Sequence, residues 1–145
     1  MRIISLAFVA VACAFSGCHP EPNGTSMDRT HAKTVSDSYM SDLVADRVDL
    51  ALQRMEPQFI QAAGGNAKAE AQLRDLFNYC GRPLESELSH EETGLFLYGD
   101  GRRAPMRGFY YSGRTTQHPK GICLFAVKVV PSENGIKVVS FGPLK

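Results

Sequence analysis

"GICLFAVKVVPSENGIKVVSF", Gly121 to Phe141, decides the fold. Two runs rich in β-branched and aromatic residues flank Pro131 to Gly135, and Asn134-Gly135 is a dipeptide that accepts the positive φ angles of a tight hairpin turn. The stretch predicts two antiparallel strands joined by a short turn. Toward the N-terminus, "MRGFYYSGRTT" (Met106–Thr116) and "GLFLYGDG" (Gly94–Gly101) share this composition, and "LESEL" (Leu84–Leu88) alternates apolar and acidic residues. Four or five antiparallel strands are expected after Pro83.

Ahead of Pro83 the periodicity is helical. Val44, Val48, Ala51, Leu52, Met55 and Phe59 recur on one face, Pro57 ends or kinks the helix, and Gly64 and Gly65 close the segment. Asn66 is placed to cap a second helix with Ala69, Leu73, Leu76 and Phe77 on one side, and Gly81 supplies a left-handed stop. A sheet of this size has an apolar face to cover, and the helices offer the matching stripe. The expected fold class is therefore α+β, two N-terminal helices packed on a curved antiparallel sheet of four to five strands. This order of elements, from about Val44 to Phe141, resembles the cystatin-like and nuclear-transport-factor-2-like cone folds. The resemblance implies a concave sheet face, for which Tyr79, Tyr98, Tyr110, Tyr111 and His118 are candidate lining residues. Aromatic residues on strands more often belong to the core.

The chain of 145 residues is 43% hydrophobic and 21% charged, which fits one globular domain. Of its 16 Lys and Arg, one is Arg2, so the chain after residue 17 balances its 15 acidic side chains. A neutral domain lacks the cationic surplus that displaces counterions from phosphates, which argues against nucleic acid as a partner.

Met1 and Arg2 open a short positive region, and Ile3 to Phe15 form an apolar run of signal-peptide length, too short to span a bilayer. The run ends in Phe15-Ser16-Gly17-Cys18, which resembles the lipobox of bacterial lipoproteins, with Phe in place of the usual Leu. The resemblance implies cleavage before Cys18 and acylation of that cysteine, which then anchors the chain in a membrane. Cys13 is a competing site that shortens the apolar run. Two or three acyl chains anchor stably, since each buried methylene contributes about 0.8 kcal/mol. His19, in place of an Asp that retains such proteins at the inner membrane, points to the outer membrane and its periplasmic face. The expected organisation is a signal peptide over 1–17, a polar, proline-punctuated tether over 18–36 and a single α+β domain over 37–145.

With Cys18 taken by lipid, Cys80 and Cys123 remain in an oxidising compartment, where an even remainder predicts one disulfide. Their separation, without a CxxC arrangement, favours a structural bond over a redox role. No catalytic or metal-binding cluster and no cofactor motif emerges. "HEET" (His90–Thr93) lacks the second histidine of a zinc protease helix, and His19 and His31 have no companion ligands. Glu85 and Glu87 are expected to pair across strands with Arg103, Arg107 or Arg114. "GDGRRAPMR" (Gly99–Arg107) is a glycine-rich turn whose Arg102, Arg103 and Arg107 are candidates to hold an anionic group, or else are solvated at a hairpin tip. These observations favour a lipid-anchored, non-catalytic envelope protein that binds a protein, peptide or envelope component. A small-ligand binder or enzyme of the cone-fold kind and a structural linker between membrane and cell wall remain alternatives.

Overall fold

The computed structural model describes residues 27–144, so the expected signal peptide and the expected roles of Cys18 and His19 lie outside the described residues. Four helices precede the sheet: α1 (Arg29–Val44), α2 (Val48–Gln53), α3 (Pro57–Ala63) and α4 (Asn66–Cys80). They are followed by β1 (Glu87–Leu97), β2 (Arg103–Gly113), β3 (Cys123–Ser132) and β4 (Gly135–Leu144). The strands form one antiparallel sheet in the order β1-β2-β3-β4.

The helical part is longer and more broken than the apolar periodicity predicts. Asp28 caps α1, its Oδ2 accepting the His31 N–H at 2.7 Å, so residues 29–36 are helical and not tether. The buried stripe of α1 is Ala32, Ser36, Tyr39, Met40 and Leu43, and its first two members are too small to register as an apolar face. The single helix expected across Val44 to Phe59 is three pieces. Asp46 turns the chain at φ 58°, and Pro57 starts α3 instead of ending a helix, since its missing N–H costs nothing in a first turn. The second expected helix is α4, but its N-cap is Gly65 with Asn66 already helical, and Gly81 leaves it at φ 86° and ψ 149°, a positive-φ extended exit in place of the expected left-handed stop.

Of "LESEL" only Glu87 and Leu88 are strand, and they run on through the "HEET" segment into "GLFL" as the one strand β1, which is why there are four strands and not five. The predicted hairpin stands, with Ser132 opposite Gly135 and Gly135 at φ 102°. Alternation along β2 to β4 sends Phe109, Tyr111, Phe125, Val127, Val129, Val138 and Phe141 toward α1, where they meet Tyr39, Met40 and Leu43. Phe125 and Phe141 stack at 5.9 Å between centroids, and Tyr39 lies 5.6 Å from Phe141. Each such side chain contributes roughly 1.5–3 kcal/mol by leaving water, so this layer holds most of the stability. A smaller cluster gathers Phe59 of α3 with Phe96, Tyr98, Met106, Val130 and Val139.

The two sheet edges differ. Along β4, Val138 exchanges backbone hydrogen bonds with Arg54 and Glu56 at 2.9 and 2.8 Å, so the α2–α3 junction covers that edge. The edge of β1 pairs with no strand among the described residues. Its first half carries Glu87, His90, Glu91 and Glu92 and an irregularity between Leu88 and His90, which oppose continuous pairing with a long flat edge such as a second copy of this sheet and leave the short stretch before the irregularity open.

Candidate functional site

The basic turn does not form an anion cradle. Asp100 accepts the Arg102 backbone N–H at 2.9 Å and its Nε at 2.7 Å, and the Arg102 guanidinium lies 4.7 Å from the centre of the Tyr98 ring. The Arg102 bonds hold the Asp100 carboxyl below its ordinary range. Arg102 is thus spent on its own turn, whose base is the buried Tyr98. Arg103 and Arg107 lie on the helix-side face of β2, Arg103 exposed and Arg107 directing Nε toward the Met27 carbonyl at 3.4 Å.

The candidate aromatic lining is likewise dispersed. Tyr110 and Tyr111 are consecutive on a strand and point to opposite faces. The Tyr111 hydroxyl is buried under α1, donating to Asp37 Oδ1 at 2.8 Å and accepting from Ser36 Oγ at 2.8 Å. Burial is the main reason its ionisation is pushed well above the ordinary phenol range. His118 is exposed in the β2–β3 loop, its backbone N–H donating to Thr115 Oγ1 at 3.0 Å, and Tyr79 is exposed on α4. With Tyr110 and Tyr111 on opposite faces, no single sheet face gathers Tyr98, Tyr110, Tyr111 and His118.

Tyr110 instead belongs to a polar group on the other sheet face. His90, its cross-strand neighbour, stacks on it with centroids 4.1 Å apart and planes 6° from parallel. Glu92 lies over Gly108, within 3.9 Å of Lys128 Nζ. Burial first, and the nearby Glu92 carboxylate second, push the Tyr110 phenol up to about 12. A raised folded pKa means that this tyrosine favours the fold below the unfolded value of about 10 and loses that contribution as pH climbs through about 12. Glu92→Gln should lower the Tyr110 pKa only part of the way toward 10, because burial persists; phenolate absorbance during alkaline titration reads the shift.

Cys80 and Cys123 are separate, half-buried thiols, one at the end of α4 and the other at the start of β3. The Cys80 Sγ donates to the Leu76 carbonyl at 3.0 Å, and forming the expected disulfide exchanges that contact for a bond to Cys123. Burial, with the neighbouring Cys123 adding to it, raises the Cys80 thiol pKa. Glu85 does pair with Arg114, through two bonds of 2.7 Å, but both residues lie just beyond the ends of β1 and β2, and the pairing expected of Glu87 is absent among the described residues.

Two features of the structure have only a faint sequence signal. The first is Asp42, whose carboxylate is 3% exposed and accepts from Arg47 Nε and Nη2 at 3.2 and 2.9 Å and from Arg54 Nε at 2.7 Å. It ties the end of α1 to both ends of α2. Arg47 and Arg54 follow this acid by five and twelve residues, neither of them the three- or four-residue spacing of a helical ion pair, so only the bend between α1 and α2 brings the three together and the sequence does not single it out. Removing one member of a buried ion pair costs about 3–5 kcal/mol, and the half-exposed arginines recover part of that by hydration. Asp42→Ala is accordingly expected to lose about 2–3 kcal/mol in urea unfolding, with α2 the first element to lose hydrogen-exchange protection.

The second is a groove of about 530 Å³ between α1 and the start of β1. Lys33, Asp37 and Ser41 line it from the helix, Ser86, Glu87 and Leu88 from the strand, and Tyr111 from the sheet. α1 supplies its polar side chains at positions 33, 37 and 41, one turn apart, because the opposite side of that helix is buried in the core. Lys33 pairs with Asp37, and Asp37 in turn accepts from Tyr111, so a charged pair borders a buried hydroxyl network. The groove also meets the open edge of β1, whose main chain is a ready hydrogen-bonding partner.

Among the described residues no group of His, Cys, Asp and Glu is arranged to hold a metal ion, and no helix is long and apolar enough to cross a membrane. No protein-family model, curated protein or solved structure matches the chain.

Proposed function

We propose that this protein is a lipid-anchored, non-catalytic module of the bacterial envelope that holds a polypeptide segment of a partner in the groove between α1 and β1. The observation that carries the reading is the meeting of that groove with an unpaired strand edge. An extended segment laid there gains main-chain bonds from β1, while Lys33, Asp37 and Ser41 select its side chains. The lipobox-like FSGC and the short polar chain between Cys18 and Met27 support attachment to a membrane through acyl chains on Cys18. His19 favours the outer membrane, with the domain in the periplasm.

Two experiments test the two halves of the reading. Globomycin, an inhibitor of the lipoprotein signal peptidase, should make a heavier precursor accumulate, and an unchanged band removes the lipid anchor. A photo-crosslinking residue at Ser41 or Ser86, inside the groove, should capture a defined envelope protein in living cells. The same residue at exposed Lys120 should not. Equal labelling from all three positions removes the groove as a binding site.

A further inference from the structure

The tip of the β1–β2 hairpin carries an uncovered apolar patch. On the helix-side face of β1, beyond Glu91, come Thr93, Leu95 and Leu97, and the leucines are 67% and 57% exposed. Pro105 and Arg103 stand opposite them on β2, both exposed. The helical layer stops short of this patch: Arg29, at the start of α1, pairs with Glu91, and Met27 is buried beside Arg107 one register position further on. Finally, Arg103 and Arg107 have no acidic partner among the described residues, whereas Glu91 and Asp100 are each paired with an arginine. The patch is therefore apolar with a net positive border.

Chain length says what covers it. Eight residues separate Cys18 from Met27, which span at most roughly 30 Å when fully extended. From Arg107 to Arg103 the strand advances about 14 Å. An acyl group on Cys18 thus brings its bilayer within reach of the patch, on the side of the domain where the tether enters. The segment from His19 to Ser26 is HPEPNGTS, which has no large apolar residue to lay over two leucines.

We propose that Leu95, Leu97 and Pro105 seat the domain on an anionic phospholipid surface, with Arg103 and Arg107 meeting the headgroups. The proposal rests on the acylation of Cys18. Leucines enter the boundary between headgroups and acyl chains, and each arginine near the surface adds electrostatic attraction. Docking stands β1 away from the membrane, so its other end, at Leu88, lies roughly 30 Å above the tip. The groove then faces the periplasm at a fixed height.

The chain has no tryptophan, so a single introduced Trp is an unambiguous reporter. The acylated full chain carrying Leu97→Trp is placed in vesicles of phosphatidylethanolamine and phosphatidylglycerol, with and without brominated acyl chains. Ile122→Trp, at a position 79% exposed at the opposite end of the sheet, serves as the comparison. The Leu97→Trp emission should move to the blue and lose about half its intensity to brominated lipid, while the Ile122→Trp emission does neither. Arg103→Glu in the Leu97→Trp background should reduce the quenching. Protein that floats with the vesicles but keeps a water-exposed Leu97→Trp spectrum overturns the docking and leaves the anchor intact. Protein that does not float overturns the anchor and the docking together. A blue shift in an unacylated Cys18→Ser form without vesicles, growing with protein concentration, assigns the patch to a second copy and overturns the proposal.

Discussion

Gly113→Ala should destabilise the domain by about 3–5 kcal/mol, a loss at the extreme of single substitutions. A Cβ at Gly113 would overlap the Glu85 carbonyl oxygen and come within 2.9 Å of the Glu85 carbonyl carbon. Those are backbone atoms, so no side chain can rotate away. The segment cannot easily retreat either, because several bonds clamp it to the end of β2. Leu84 N–H donates to the Arg114 carbonyl at 2.9 Å, Thr116 N–H donates to the Arg82 carbonyl at 2.9 Å, and Arg114 holds the Glu85 carboxylate. Relieving the overlap breaks some of these, each worth about 1 kcal/mol, and disturbs the adjoining β1 start that lines the groove. Gly142→Ala is the control. It sits in β4 with no atom within 4 Å of where its new methyl group would stand, and should change stability by less than about 0.5 kcal/mol. Urea unfolding of the two variants tests the contrast, and equal effects would show that space at Gly113 is not what the glycine provides.

That glycine also shows where sequence reading stops. The hairpin at Asn134-Gly135 and helix α4 with its Gly81 exit are legible because turn chemistry and apolar period are local properties of the chain. Gly113 is set by a non-local approach of Glu85, and no local pattern announces it. The same holds for the break between α1 and α2. Val44 to Phe59 keeps a helical apolar period, yet the arginines gathered on buried Asp42 and the left-handed Asp46 bend the chain there. The start of α1 is written in Asp28, but Ala32 and Ser36 make a stripe too weak to outweigh the polar composition around it. For the site the pattern repeats. Glu85 with Arg114 is foreseeable as opposite charges, although they meet beyond the strand ends, whereas the dispersal of Tyr98, Tyr110, Tyr111 and His118 depends on which face and which end of the sheet each residue reaches. The groove depends on the distance between a helix and an edge strand about 50 residues apart in sequence, a separation at which the periodicity of one chain has nothing to say.

In the oxidising compartment proposed for the domain, Cys80 is expected to join Cys123 and to raise stability by about 4 kcal/mol, the loop-entropy value for a closed segment of about 44 residues. The structure makes the bond matter more than its position near the surface suggests. α4 packs on α2 and α3, and its end is fastened toward the sheet by Thr115 Oγ1 donating to the Cys80 carbonyl at 3.1 Å. Gln117 Nε2 adds a bond to the Asn78 carbonyl at 3.3 Å, and a bond from Cys80 to the first residue of β3 would add a covalent link between the helical layer and the sheet. Two thiols lose two protons and two electrons to a disulfide oxidant in the step. Burial, which raises the Cys80 pKa, disfavours its thiolate and so disfavours uncatalysed exchange at that sulfur. Peptide mapping without reductant should find the linked pair in protein taken from the envelope. Urea midpoints should fall on reduction of the wild type and stay unchanged on reduction of a Cys80→Ser, Cys123→Ser variant. Alkylation of both thiols in the native envelope protein would show instead that the helical layer is held by packing alone, with Leu73 and Phe77 of α4 in the core as its anchor.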